Sequence, residues 1–160
     1  MKKNFFNESL IIFLIIGVLT TLVTITYNDY TSNVKKKSSI KNHTNVVNFI
    51  TESFIKCQNG EEFFLLQKVT TSKENFCSLI RKSNEFIIRS AFINHFNALE
   101  RCNTYGLKNS LGNCMPAVVE GSDIDKGNLG ETLLLVSKNS LIVHTKISTI
   151  KNITNKIIIK

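Results

Sequence analysis

The sequence predicts an α+β chain: one long N-terminal spine helix packed on a C-terminal antiparallel β-sheet, with a second helix and loops between them. Three observations predict it. No Gly or Pro interrupts the chain from Val18 to Gln58. Apolar residues recur at helical spacing in the second half of that stretch, and the last thirty residues alternate between apolar runs and short polar breaks. With 160 residues the chain suits one ordinary domain rather than two, and its 42% apolar content excludes a disordered chain.

The spine begins with a membrane-like segment. Leu10 to Ile25 carries no charge, and Phe5 to Tyr27 supplies about the 20 mostly apolar residues that a bilayer span needs. Its Thr residues can bond back to the helix's own carbonyls, so they cost little in lipid. A cleaved secretory signal would offer a shorter apolar core and a small-x-small site, and neither is present, so the segment reads as a retained anchor. Beyond it, Val34, Ile40, Val47, Ile50 and Phe54 recur near multiples of a helical turn. One helix is therefore expected from about Phe5 to Lys56, apolar all round in its first half and amphipathic in its second. Asn59-Gly60 ends it.

The middle is shorter and mixed. Glu62 to Val69 suits a strand or a turn of buried helix. Thr71 or Ser72 with Glu74 suits a helix cap before Phe76, Leu79 and Ile80. A second helix from about Ser83 to Glu100 carries Phe86, Ile87, Phe92, Ile93, Phe96 and Leu99 as one stripe. Five glycines from Gly106 to Gly130 mark a loop-rich stretch. Thr132–Ser137 and Leu141–Ile147, split by Lys138-Asn139, predict a hairpin, and Lys156–Lys160 a last strand.

Charge narrows the functional classes. The net charge of +8 divides as +4 over residues 1–56, zero over 57–130 and +4 over 131–160. A neutral middle argues against a nucleic-acid face across the domain. Lys35, Lys36 and Lys37 after the anchor suit anionic head groups. Lys138, Lys146, Lys151, Lys156 and Lys160 could form a basic patch for nucleic acid on the sheet; the plainer reading is solvated edge strands, which such charges keep from aggregating. No nucleophile motif, His pair with metal spacing, dinucleotide fingerprint or phosphate loop occurs, so a non-enzymatic protein without cofactors is expected. His43, His95 and His144 read as structural or surface residues. Asp123, Asp125 and Asn128 form a weak calcium candidate that lacks the acidic twelfth position of an EF-hand, with Leu134 there instead; a plain Asp/Asn/Gly turn is the stronger reading. Asn42-His-Thr44 and Asn152-Ile-Thr154 match the glycosylation pattern at a frequency that 19 Asn explain by chance.

Cys57, Cys77, Cys102 and Cys114 contain no Cys-x-x-Cys pair. An even count in an exported domain suggests two disulfides, for which three connectivities exist. Neighbour pairing is expected: Cys57 with Cys77, and Cys102 with Cys114 across a loop holding Gly106 and Gly112.

Two Lys, then Asn4, Glu8, Gly17 and Tyr27-Asn28-Asp29-Tyr30-Thr31 follow one another without a gap. In that register, residues 4–31 resemble the N-terminal segment of a type IV pilin or a pilin-like protein of type II secretion. The resemblance implies a leader at 1–3, with Lys3-Asn4 as the processing point. It also implies a transmembrane and filament-core helix over 4–27, and a globular domain over 28–160 that includes the second half of the spine. In the family the carboxylate at the Glu8 position meets the N-terminal amine of a neighbouring subunit during assembly. A carboxylate near the end of a membrane helix is a functional candidate on physical grounds as well. The implied partners are other copies or related pilin subunits, the inner membrane, a prepilin peptidase and the pilus assembly machinery. The implied location is single-pass in the inner membrane with a cytoplasmic N-terminus, then an extracellular pilus or periplasmic pseudopilus. Four departures stand out. Lys3 replaces the family's Gly, Asn4 its usual Phe, and Ile25 a kinking Pro found in many members; the last Cys is Cys114, so the terminal-loop Cys pair is absent. The alternative from another class is a membrane-anchored binding or accessory protein that does not polymerise.

Overall fold

The computed structural model describes residues 3–66 and 73–159, with the side chains of all but 3–8, 73, 74 and 82 among them. Two compact units divide at Val34 and Lys35. Helix α1, Lys3–Gln58, runs through both. Nothing in its sequence breaks it: Pro is absent, and the one Gly, Gly17, has no neighbour within 4 Å beyond its own helix.

The first unit is the first half of α1. Every side chain from Leu10 to Tyr30 is exposed. The second unit starts with the other half of α1 and continues through β1 (Phe64–Leu66), β2 (Lys73–Asn75), α2 (Phe76–Lys82), α3 (Glu85–Ala98), β3 (Val118–Glu120), a short 3-10 turn at Ile124–Lys126, β4 (Thr132–Ser137), β5 (Ser140–Lys146) and β6 (Asn152–Ile158). The arrangement is α+β and pilin-like, a long N-terminal helix whose second half packs on a small C-terminal sheet.

Helix α1 ends where Gly60 takes a left-handed φ of 82°. That turn lets the Glu61 N–H reach the Lys56 carbonyl at 3.0 Å and close the open end of the helix. The Thr71/Ser72 cap expected for the next helix lies outside the described residues. The start of α2 is instead held by Asn75, whose side chain accepts the N–H groups of Cys77 and Ser78. Glu74, its expected capping partner, belongs to β2. Asn84 caps α3 in the same way.

The sheet has the order β3-β4-β5-β6. Its hairpin is the expected one: Ser137 pairs with Ser140, and Lys138-Asn139 forms the turn with Asn139 at φ 54°. Two features depart from the sequence reading. β3 pairs parallel to β4, so the sheet is mixed, and this strand lies in the stretch read as loop. β6 starts at Asn152 rather than Lys156 and pairs over its whole length with β5.

The core gathers Val46, Ile50 and Phe54 of α1, Ile88, Phe92 and Phe96 of α3, Leu65, Phe76, and Val118, Leu134, Leu141 and Val143 of the sheet. The helix stripes differ from those expected. On α1, Ser39, His43, Val46, Ile50 and Phe54 are buried, Val47 is half-buried, and Val34 and Ile40 are exposed. On α3, Ile88, Ala91, Phe92, His95 and Phe96 face inward, while Phe86 and Ile87 are exposed. The second face of β4 is covered too. A Cβ added at Gly121 or Gly127 would come within 3.0 Å of Leu133, so the segment carrying these glycines lies against that strand. Burial on both faces is why Thr132–Val136 reads as a continuous rather than an alternating run.

The disulfides join Cys57 to Cys77 and Cys102 to Cys114, with Cα separations of 5.1 and 5.5 Å. The first ties the last turn of α1 to the start of α2. Its 20-residue separation restricts the unfolded chain, so the double change Cys57→Ser with Cys77→Ser is expected to cost about 2–4 kcal/mol. Urea unfolding of the oxidised parent and the double variant measures that difference; equal midpoints would contradict it.

Candidate functional site

The feature with no internal partner in its unit is the first half of α1. An 18-residue window of this helix has a mean hydropathy of 2.5, and none of it is buried. Its polar groups are satisfied from within. The Thr20 hydroxyl donates to the Ile16 and Gly17 carbonyls at 2.9 Å, Thr21 to Val18 at 2.8 Å, and Thr26 to Leu22 and Val23 at 3.0 Å. Thr24 bonds back to Thr20. With backbone and hydroxyl groups paired inside one helix, the segment can enter hydrocarbon without leaving a donor or acceptor bare. It is long and apolar enough to cross a membrane. Lys3, Asn4 and Glu8 lie on the helical backbone of its first turns, and their side chains are outside the described residues.

The second half of α1 is fixed to the sheet by polar contacts as well as by the core. His43, 2% exposed, has Nδ1 2.8 Å from the Thr145 hydroxyl and Nε2 2.7 Å from Asn155 Oδ1. Asn155 Oδ1 can only accept, so Nε2 carries the proton; in the neutral ring Nδ1 then accepts from Thr145. Thr145 also meets Thr132 across the sheet at 2.8 Å. One turn earlier, Ser39 donates to the Lys35 carbonyl and lies 2.6 Å from the Thr104 hydroxyl. Beside Thr104, the Tyr105 hydroxyl donates to the Ile147 carbonyl, and burial pushes its pKa up. The loop closes on Gly130 at φ +76°, where a Cβ would lie 2.4 Å from the Tyr105 ring; only Gly fits there.

Sequence reading missed Ser39 and Asn155 altogether and gave His43 no partner. The only sequence signal is that Ser39 and His43 stand four residues apart, in line with Val46 and Ile50.

His95 and His144 are buried as well. His95 stacks on Phe49, with ring centroids 4.5 Å apart, and its Nδ1 accepts the Leu66 N–H at 3.1 Å. A proton on Nδ1 would break that bond. Burial, and then the nearby Arg101 charge, lower its pKa. His144 Nδ1 lies 2.7 Å from the Thr154 hydroxyl. Burial lowers its pKa most, followed by the neighbouring His43; Asp125 opposes the shift and Lys146 adds to it. Both histidines are therefore held neutral in the fold. Below about pH 6.5 the unfolded chain binds protons that the folded chain refuses. Stability is full above that pH and falls as pH drops towards the lowered folded values. The slope is at most about 1.4 kcal/mol per pH unit for each histidine. Thermal melts from pH 7.5 to 5 should show a falling Tm, and replacing His95 with Gln should reduce the slope. A flat profile would contradict this.

From α3, nearly buried Arg89 reaches the sheet and pairs with the exposed Glu120 at the end of β3. The calcium candidate is used up locally. Asp123 accepts the Asp125 N–H at 3.1 Å, and Asn128 donates to buried Glu131 through both its backbone and side-chain N–H groups. Among the described residues, no group of three or more His, Cys, Asp or Glu gathers in metal-binding geometry.

Compared with known proteins, the chain matches no protein-family model, no curated sequence and no solved structure.

Proposed function

We propose that this chain is a structural subunit of a type IV pilus-like filament, anchored by the first half of α1 and assembling through it. One observation carries the reading: a single unbroken helix, Lys3–Gln58, is apolar over its first half, where every side chain from Leu10 to Tyr30 is exposed, and packs against a small domain over its second. An apolar helix face needs lipid or other apolar helices around it. A filament core of bundled copies offers the second environment after the bilayer has offered the first. The resemblance of residues 4–31 to pilin N-termini, with Glu8 and Tyr27-Asn28-Asp29-Tyr30-Thr31 in register, supports the same reading. It favours a cytoplasmic N-terminus and a globular domain outside the inner membrane, in a pilus or a secretion pseudopilus.

Lys3 favours the second reading, a membrane-anchored accessory protein that stays monomeric, because the family's peptidase cleaves after Gly. The N-terminus of the membrane-extracted protein separates the two. A chain starting at methylated Asn4 supports the filament subunit. A chain retaining Lys3 that never enters sheared filaments supports the monomeric anchor.

A further inference from the structure

Strand β6 is the edge of the sheet, with β5 on one side and no strand on the other among the described residues. It is seven residues long and mostly exposed; Ile158 is 64% exposed. The direction of its backbone groups follows from two bonds. The Ile159 N–H donates to the Asn139 carbonyl at 2.8 Å, and the Ile147 N–H to the Lys151 carbonyl at 2.9 Å. Residues 151 and 159 therefore turn their polar groups towards β5, and in an antiparallel ladder so do the odd residues between them. Asn152, Thr154, Lys156 and Ile158 turn their N–H and C=O groups to the open edge. At the other edge, β3 is only three residues long, and Glu120 at its end is occupied by Arg89.

We propose that the β6 edge pairs antiparallel with β6 of a second copy of this chain, in a register centred on Asn155. That register overlaps all seven residues. It pairs Thr154 with Lys156 and Asn152 with Ile158, each twice, so that every outward N–H and C=O is used. On the helix-facing side it sets Ile153 against Ile157 twice, the apolar cross-strand pairs that stabilise sheets. Charge selects the same register: centring on Lys156 would set two lysines directly opposite one another, which disfavours it. A protein partner without this pattern would have to match both the spacing and the lysine. The second copy matches them by its own sequence.

The two-fold axis of such a pair is normal to the sheet, so the two copies run in opposite directions and the contact closes on itself. It joins two chains, or two filaments lying antiparallel, and does not extend one filament. It thus goes beyond the filament reading and does not rest on it.

Crosslinking of the full chain in detergent, where copies are free to meet in opposite directions, tests the pairing. Asn155 faces its own counterpart at a position where Cα atoms lie about 4.5 Å apart, within disulfide reach. Asn155→Cys gives up the bond to His43, so its melt is checked first; under mild oxidation the folded variant should become mostly covalent dimer. Ile150→Cys, also exposed but outside the paired strand, should give at most a tenth as much. Adding Lys156→Pro to Asn155→Cys removes an outward N–H without touching the β5 ladder, and should lower the dimer yield at least tenfold with the melting temperature retained. Monomer throughout, equal crosslinking at Ile150, or indifference to Lys156→Pro would overturn the proposal. Hydrogen exchange on the unaltered chain decides the matter if a variant does not fold. The Thr154, Lys156 and Ile158 amides should exchange at least tenfold more slowly at high protein concentration than at low; fast exchange at both concentrations overturns it.

Discussion

Glu8→Gln is expected to leave the chain in the membrane and remove it from filaments. The substitution keeps the size of the side chain and its ability to hydrogen-bond, and deletes only the charge. Lipid favours the uncharged variant, since a carboxylate is the costlier group to bury. Insertion should therefore be at least as efficient as in the parent. Assembly is different. If the carboxylate meets the amine of a neighbouring subunit inside the helix bundle, removing it leaves that amine buried and unpaired, at a cost of about 3–5 kcal/mol. Such a loss weakens incorporation about a hundredfold or more. Membrane fractionation and the subunit content of sheared filaments measure the two halves of this expectation. Lys3→Gly is the companion: where processing limits assembly, it should increase both cleavage and incorporation. A Glu8→Gln chain that assembles as well as the parent would remove the filament assignment and leave the monomeric anchor in its place.

Phe92→Ala should be the most damaging single change in the globular unit. Phe92 is fully buried, and its ring centroid lies 4.7 Å from that of Phe76, 6.1 Å from Phe54 and 6.2 Å from Phe49. These rings come from α1, α2 and α3, so Phe92 is the shared contact of three helices. Truncation removes its own transfer free energy and leaves a cavity that the stiff neighbouring rings fill poorly, costing about 3–5 kcal/mol. That is a large part of the stability of an ordinary domain. Denaturant unfolding of the oxidised protein checks it. A loss below about 1 kcal/mol would mean that the aromatic cluster is not the centre of the core. Membrane insertion of α1 should be unaffected, because the first unit shares none of these contacts.

The long helix and the hairpin were legible because each is dictated locally. An unbroken run without Gly or Pro propagates as helix, and Lys138-Asn139 between apolar runs can hardly avoid a turn, with Asn139 tolerating the left-handed backbone. The disulfide pairing followed from short separations and glycines within a loop. The faces of the helices were harder to read. Counting apolar residues selected Val34 and Ile40 on α1, and Phe86 and Ile87 on α3; all four are exposed. Their places in the buried stripes are taken by Ser39, His43, Arg89 and His95, which apolar periodicity counts as solvent-facing.

The sequence by itself determined an apolar helix able to enter a membrane, its amphipathic continuation, a terminal hairpin and two closed loops. All of these depend on neighbours within a turn, a strand or a short loop. Only the tertiary structure decided which face of α1 meets the sheet, that β3 joins the sheet in parallel, and that β6 begins at Asn152 and ends the sheet with an open edge. The reason is the cost of burying polar groups. Ser39 and His43 can lie inside only because Thr104, Thr145 and Asn155, from 65 to 112 residues away, supply their hydrogen bonds. No window of local sequence contains both halves of such a contact.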